Sequence, residues 1–344
     1  MQGEKRVKEN SYFQGAMGEI NRQIAALMSR KKSLMQEKEA SVQGYSSPRH
    51  MTESPYIKYL RVIEDRRKPV ENPRVVYQGE PGAYSEMAAR NFFGPEVQAK
   101  GLYQFEDTFR ALEQGEADYA VLPIENSSTG AIRQVYNLLS EYNYFLVGET
   151  TVQVKHSFMV LPGTKMEEIE TVYSHEQGLF QCEKFLARHP EWKTIAQADT
   201  AGSAKMVAEL QDKTKAAICS SLAAEIYHLE ILEEGVNANS HNTTRFVVVS
   251  PKAELRQERD KICISLTTTH QSGSLHDILT IFAVHDVNLV RLESRPVQEH
   301  NWEYMFFIEF TGDLLTDEID EVIHEISLQA RDLRVLGNFK SNLE

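Results

Sequence analysis

The chain has 344 residues, 41% apolar and 25% charged, enough for the cores of two or three globular domains. Its 37 basic and 50 acidic residues leave a net charge of -13, which argues against DNA or RNA as a partner, because phosphate backbones are held by excess cations. Three widely spaced cysteines without a C-x-x-C pair argue against a disulfide framework or zinc site, and "MQGEKRVKENSYF" has no apolar leader; with no apolar run near the ~20 residues that cross a bilayer, a cytoplasmic protein is expected.

Residues 1–73 read as a helical N-terminal segment. Phe13, Met17, Ile20, Ile24, Leu27 and Leu34 recur at helical spacing, which predicts an amphipathic helix over about 11–38. "SVQGYSSPRHMTESP" reads as a linker and "YIKYLRVIEDRR" as a second helix. Two helices cannot bury their apolar faces alone, so this segment needs the main body or another chain to cover it.

From Arg74 the pattern becomes strands alternating with helices, which predicts an α/β domain with a largely parallel sheet over 74–251. "RVVYQ", "DYAVLPI", "TVYSH", "KTIAQA" and "KAAICS" read as short strands, and "SEMAARNFF", "DTFRALEQG" and "AIRQVYNLLSEY" as helices. In the second of these helices Asp107 is placed as N-cap and Gly115 just past the end. The extended stretch "FLVGETTVQVKHSFMVL" suggests a crossing between two lobes, and Phe246–Val249 reads as a buried strand. After the polar linker "PKAELRQERD", the order is strand (261–269), helix (274–285), strand (287–297), strand (302–311), helix (316–331) and strand (333–339). That is the ferredoxin-like βαββαβ arrangement, over 262–344.

Ligands of open α/β sheets bind beyond the carboxyl ends of the strands. Here those positions hold "QGEPGAYSE", "ENSSTG", "SHEQ", "DTAGS" and a Ser220–Ser221 pair, each opening a helix. Gly79 and Gly82 permit close backbone approach, and Ser85 is placed as a cap. Any one such loop is explained as a helix cap. "PIENSSTG" is less easily explained, because a cap needs one polar residue and this loop offers Glu125, Asn126 and two serines. Asn242, Thr243, Thr244 and Arg245 sit equally oddly at the mouth of a buried strand. No G-x-S-x-G, P-loop, G-x-G-x-x-G or H-E-x-x-H occurs, and the His175/Cys182 pair reads as structural. A site of hydroxyls, amides, an arginine and helix ends, with no metal or other cofactor, suits chemistry on a small polar anion.

"GEPGAYSEMAA", "ADYAVLPIENSSTGAI", "VYSHEQGLFQCEKFL", "DTAGSA" and "NTTRFVVVS" stand in the order found in prephenate dehydratases, which the chain resembles over about 74–251. The following part resembles the ACT domain of phenylalanine-regulated members, through "SGSLHDIL" and "NLVRLESRP". "FQGAMGEINRQIAALMSRKK" resembles the last helix of the chorismate mutase domain of bifunctional relatives. The long first helix of that domain has no counterpart, so a remnant without mutase activity is expected, or a start placed too late.

The resemblance implies a two-lobed, periplasmic-binding-protein-like dehydratase domain that takes carbon dioxide and the ring hydroxyl from prephenate, giving phenylpyruvate. It implies catalytic roles for Thr244 and Glu125, and substrate contacts from Asn126, Ser127, Ser174, Thr200, Ser203 and Arg245. Arg245 is expected either to pair with a substrate carboxylate or to bridge the two lobes. The ACT domain implies feedback by L-phenylalanine, bound by Gly273, Ser274 and Leu275 and by Glu293, Ser294, Arg295 and Pro296, and a homodimer or homotetramer. Arogenate dehydratase, a bifunctional mutase–dehydratase and a phenylalanine-sensing binding protein remain as alternatives.

Overall fold

The structure, a computed structural model, describes Arg30 and residues 69–269, 271–297 and 303–342. The helices expected before residue 68 lie otherwise outside the described residues.

The first lobe opens with β1 (Arg74–Gln78), α1 (Tyr84–Phe93), β2 (Gln98–Leu102), α2 (Phe105–Glu113), β3 (Tyr119–Asn126), the two-residue β4 (Gly130–Ala131), α3 (Arg133–Tyr142) and β5 (Phe145–Gln153). The chain then crosses into a second lobe of β6 (Ser157–Val160), β7 (Thr171–His175), α4 (Glu176–Gln181), α5 (Glu183–Leu186), β8 (Lys193–Gln197), α6 (Thr200–Leu210), β9 (Lys215–Cys219), α7 (Ser221–Tyr227) and β10 (Glu230–Glu234). It returns to the first lobe as β11 (Thr243–Ser250). The first sheet has the order β2-β1-β3-β11-β5, with β4 on β3, and the second β10-β6-β9-β7-β8. Both are mixed rather than largely parallel. β1, β2 and β3 run parallel, but the returning β11 is antiparallel to β3 and β5, and β6 is antiparallel to β9 and β10. The two crossovers travel side by side: Val154 N–H donates to the Asn242 carbonyl at 2.7 Å, and Val236 N–H to that of His156 at 2.9 Å. This is the two-lobed arrangement of periplasmic binding proteins, hinged at residues 154–156 and 235–242.

The lobes touch beyond the hinge. Ser220 Oγ donates to the Gly82 carbonyl at 2.5 Å, and Lys205 pairs with Glu80 at 3.0 Å. Gly82 has φ +90°, and a Cβ there would lie 2.6 Å from Ala223 Cα, so this approach requires glycine.

The C-terminal domain comprises β12 (Lys261–Thr267), α8 (Ser274–Val284), β13 (Leu289–Pro296), β14 (Tyr304–Thr311), α9 (Asp317–Gln329) and β15 (Arg331–Phe339), in the sheet order β13-β14-β12-β15. The alternation of side chains along a strand divides this sheet. Ile262, Ile264, Leu266, Ile308 and Phe310 pack under α8 and α9, whereas Cys263, Phe307, Leu336 and Phe339 join the core of the first lobe beside Tyr136, Leu139 and Leu146. The face of the sheet opposite its helices is therefore closed by the first lobe. Gly337 makes that contact possible, since a Cβ there would stand 1.9 Å from the Leu146 carbonyl oxygen.

Two caps differ from expectation. Gln104 is the N-cap of α2 and Asp107 its third residue, accepting from Gln104 N–H at 3.0 Å in a capping box. Ser85 lies inside α1, where Gly82 N–H donates to Glu86 at 2.7 Å instead.

Candidate active site

A cavity of about 460 Å³ lies between the lobes. The starts of three helices meet at it: Tyr84 and Ser85 of α1, Gln177 and Gly178 of α4, and Asp199 and Thr200 at α6. Among the described residues lining it there is no lysine or arginine. Positive potential for an anion comes instead from helix N-termini and side-chain amides.

Thr244 and Asn126 stand opposite each other on β11 and β3 and line this cavity. A β-bulge sets that pairing. Arg245 opposes Glu125 and Phe246 opposes Pro123, so Ile124 is the extra residue. Without it, strict alternation would place Glu125 on the cavity side with Pro123; with it, Ile124 and Glu125 both turn away and Asn126 faces inward.

Asn126 controls the Thr244 hydroxyl. Its Oδ1 accepts from the N–H groups of Ser128 (2.9 Å) and Thr129 (3.2 Å), which fixes the amide orientation. Its Nδ2 then donates to Asn242 Oδ1 at 2.7 Å and to Thr244 Oγ1 at 2.9 Å. The threonine oxygen is an acceptor in this bond, so its proton is free to donate into the cavity. Asn242, 1% exposed, anchors the pair from behind.

The other expected contacts divide. Thr200 lines the cavity. Ser174 and Ser203 are fully buried and donate to the carbonyls of Ile218 (2.7 Å) and Asp199 (2.9 Å), so they hold the second lobe together rather than meet a ligand. Ser127 is exposed outside the cavity, where its Oγ accepts from Thr243 N–H at 3.0 Å.

Glu125 and Arg245 face the C-terminal domain, not the cavity. Arg245 Nη1 donates to Glu149 (2.9 Å) and Glu309 (2.8 Å), and Nη2 to the other Glu309 oxygen (2.8 Å). Lys261 Nζ reaches Glu149 at 2.6 Å and Glu309 at 3.8 Å. All four side chains are at most 5% exposed. Two cations and two anions cancel, as buried charges must. Arg245 therefore bridges the first lobe to the C-terminal domain rather than the two lobes, and its guanidinium is turned to Glu149 and Glu309 and away from the cavity. Burial alone would raise the Glu149 carboxyl, but Lys261 and Arg245 outweigh it and hold the carboxyl below its ordinary range. Glu125 pairs with Arg291 of β13 and lies 3.6 Å from Arg245 Nε.

Among the cavity residues that sequence reasoning passed over are Tyr84, Gln181 and the hinge residue His156. The only signal for His156 was a histidine inside the crossover "VKHSF". Its Nδ1 lies 3.0 Å from the Tyr84 hydroxyl and its Nε2 3.0 Å from Gln181 Oε1; burial lowers its pKa, so the ring is held neutral. The thiols of Cys182 and Cys219, both buried, are pushed up to about 12 by desolvation, which removes them as nucleophiles at neutral pH. His175 caps α4 by accepting from Gln177 N–H.

In the C-terminal domain Gly273 (φ +91°) precedes α8, and Ser274 Oγ bonds to Thr269 Oγ1 at 2.9 Å. Leu275 follows in the first turn of α8. On β13, Glu293 is paired with Arg291 and Arg295, and Arg295 lies over the Tyr136 ring of the first lobe. Ser294 and Pro296 take the alternate positions on the strand. Among the described residues no hydrogen bond or ion pair joins the 273–275 stretch to 293–296 within the chain.

An interlobe cavity lined by helix starts, without lysine or arginine among its described lining residues, with the buried Thr244 at its wall and a βαββαβ domain packed behind it, defines a hinged small-molecule site joined to a second domain. The prephenate dehydratase family model matches residues 75–254 and the ACT domain model residues 264–327. The bifunctional chorismate mutase/prephenate dehydratase of Enterobacter agglomerans is 38% identical over 78% of this chain and 70% of its own length. Arogenate dehydratase 3, chloroplastic, of Arabidopsis thaliana is 38% identical over 79% of this chain and 68% of its own. Among solved structures, a prephenate dehydratase in complex with L-Phe from Arthrobacter aurescens gives a TM-score of 0.71 at 25% identity, covering 78% of this chain and 90% of its own. A protein described as GqqA, a quorum quenching acylase, gives 0.73 at 28% identity, covering 78% and 98%. The chain belongs to the prephenate dehydratase family and carries an ACT domain. The acylase shows that this fold admits other chemistries, so the reaction must be argued from the cavity.

Proposed function

We propose that the interlobe cavity converts prephenate to phenylpyruvate, carbon dioxide and water. The ring carboxylate leaves as carbon dioxide, and its bonding electron pair enters the ring. The C–O bond to the ring hydroxyl breaks at the far side, and the oxygen departs with the bonding pair as hydroxide, which takes one proton from solvent to become water. Aromatisation drives the step. The observation that carries this reading is the Thr244 hydroxyl, whose oxygen accepts from Asn126 at the cavity wall, which leaves its proton to stabilise a leaving oxygen. A threonine is too weak an acid to ionise, so its contribution is a hydrogen bond that strengthens as charge develops on that oxygen. Thr200 and the N–H groups at the starts of α1, α4 and α6 hold the two carboxylates. Glu125, paired with Arg291 of the C-terminal domain, acts at one remove, as the chain neighbour of Asn126. Arogenate has an ammonium group where prephenate has a ketone. Asp199, the single acidic side chain among the described residues lining the cavity, favours that substrate as a second reading.

In this reading residues 74–251 perform the chemistry and 262–344 sense L-phenylalanine through Gly273–Leu275 and Glu293–Pro296. The separation of these stretches within one chain supports a homodimer that brings them together across an interface. Val290 and Leu292, both exposed on the edge strand β13, supply the apolar surface for it. The Arg245–Glu149–Lys261–Glu309 cluster supplies a physical route between the domains, because Arg245 is the chain neighbour of Thr244.

One assay set on purified protein tests this: prephenate, arogenate and chorismate, each with and without L-phenylalanine. Turnover of prephenate, slowed by phenylalanine, is expected. No turnover of prephenate or arogenate contradicts the enzymatic reading, unchanged kinetics with phenylalanine contradict the regulatory one, and consumption of chorismate contradicts the expected lack of mutase activity.

A further inference from the structure

His156 occupies an unusual position. It lies in the first of the two hinge segments, between the last strand of one lobe and the first of the other. It is 3% exposed and lines the cavity. Its ring contacts one polar side chain from each lobe: Tyr84, at the start of α1 in the first, and Gln181, at the end of α4 in the second. The backbone of the same residue is fixed by the other hinge segment, His156 N–H donating to Asn237 Oδ1 at 2.9 Å and its carbonyl accepting from Val236 N–H. The ring is thus locked at the hinge while its two nitrogens reach outward.

A neutral imidazole has one donor nitrogen and one acceptor nitrogen. Gln181 Oε1 can only accept, so Nε2 carries the proton and donates to it. Nδ1 is then the acceptor, and the Tyr84 hydroxyl donates to Nδ1. This assignment fixes both neighbours. The Gln181 Nε2 amide, with no hydrogen bond among the described residues, is left free to donate into the cavity. The Tyr84 oxygen keeps its capacity to accept. The two rings are in edge contact, with centroids 5.6 Å apart at 70°, so Tyr84 cannot swing without displacing the imidazole.

We propose that His156, as the neutral Nε2–H tautomer, is a positioning residue of the dehydratase: it latches Tyr84 of one lobe and Gln181 of the other from the hinge, and so aims the Gln181 amide N–H at the substrate in the closed cleft. The inference rests on the proposed reaction. It assigns to the Gln181 amide the task of holding a substrate oxygen, and to His156 the task of holding Gln181. His156 itself transfers no proton.

The test has three parts on the full-length enzyme. In the wild-type protein labelled with 15N-histidine, the His156 resonances should show a protonated, pyrrole-type Nε2 and an unprotonated, pyridine-type Nδ1 at neutral pH; the opposite tautomer or a protonated ring overturns the proposal. Next, kcat and KM are measured for His156→Leu, His156→Gln and Gln181→Leu, with the folded fraction measured for each. His156→Leu should lower kcat about 10–100-fold, the usual cost of losing a partner that orients a functional side chain. His156→Gln, whose amide can accept from Tyr84 and donate to Gln181, should restore most of that loss. Finally, the double variant His156→Leu/Gln181→Leu should be no slower than the slower single variant, because both remove one interaction. Additive losses, or a His156→Leu enzyme whose folded fraction has wild-type kcat, overturn the proposal. Failure of the wild-type enzyme to turn over prephenate or arogenate contradicts the reaction instead, and leaves the tautomer measurement to decide the latch.

Discussion

The two faces of β11 are built on opposite principles. On the cavity side Thr244 and Phe246 sit beside Asn126 and Pro123, and no formal charge stands on either strand. On the other side Arg245 sits in a buried cluster of two cations and two anions, half of it contributed by the ACT domain. A charge in a closed core must be neutralised by partners, which commits it to structure. A hydroxyl needs only one bond to be oriented, which leaves its proton for chemistry. The contrast gives the charged residue of "NTTRF" a structural task and leaves the neutral hydroxyl beside it for the chemistry of the proposed reaction.

The comparison can be broken first at Arg245. Arg245→Met leaves Glu149 and Glu309 buried with only Lys261 between them, and should destabilise the protein by about 3–5 kcal/mol in urea unfolding. It should also weaken the response to phenylalanine in whatever fraction stays folded. A loss of less than about 1 kcal/mol would mean that the cluster is solvated and carries no coupling. On the cavity face, Thr244→Ala should leave stability nearly unchanged and cut kcat ~10²–10³-fold, the scale for one lost transition-state donor. The charged face should also respond to acid. The folded state holds Glu149 below the ordinary carboxylate range, so its stabilising contribution is complete at neutral pH and is lost as pH falls through that lowered range. Unfolding measured from pH 7 downward should show wild type losing stability below about pH 4.5, and Glu149→Gln, weaker at neutral pH, showing a shallower fall. The smallest effect is expected at Thr243, whose side chain is half-buried with a single long bond to the His241 carbonyl. Thr243→Ala should change stability by about 0.5 kcal/mol or less and leave kcat unaltered.

Much of this architecture was legible in the sequence. The strands with apolar runs were found, and the βαββαβ order of the C-terminal domain agrees element by element. Three strands escaped notice: the two-residue β4, and β2 ("QAKGL") and β10 ("EILEE"), which are sheet edges with few buried positions and so lack an apolar pattern. Within the site, Thr244, Asn126 and Thr200, whose roles the family resemblance implied, all line the cavity. Glu125 and Arg245 were picked out on the same grounds but turn away from it. The inserted Ile124 resets the alternation on β3, and nothing local in "PIENSS" announces a bulge. The partners of Arg245, at positions 149 and 309, lie 96 and 64 residues away, beyond the reach of any local pattern. His156 was hidden for a similar reason, since its meaning comes from Tyr84 and Gln181, which the hinge brings together from either side.

The central claim is that the Thr244 hydroxyl, and not merely the shape of that side chain, does the chemistry. Comparing the kcat of Thr244→Ser with that of Thr244→Val on prephenate tests it most directly, with matched thermal stabilities as the control. Serine keeps the donor and loses a methyl group; valine keeps the shape and loses the donor. The account predicts that the serine enzyme stays within about tenfold of wild type while the valine enzyme falls ~10²–10³-fold. Equal rates for the two variants would contradict it.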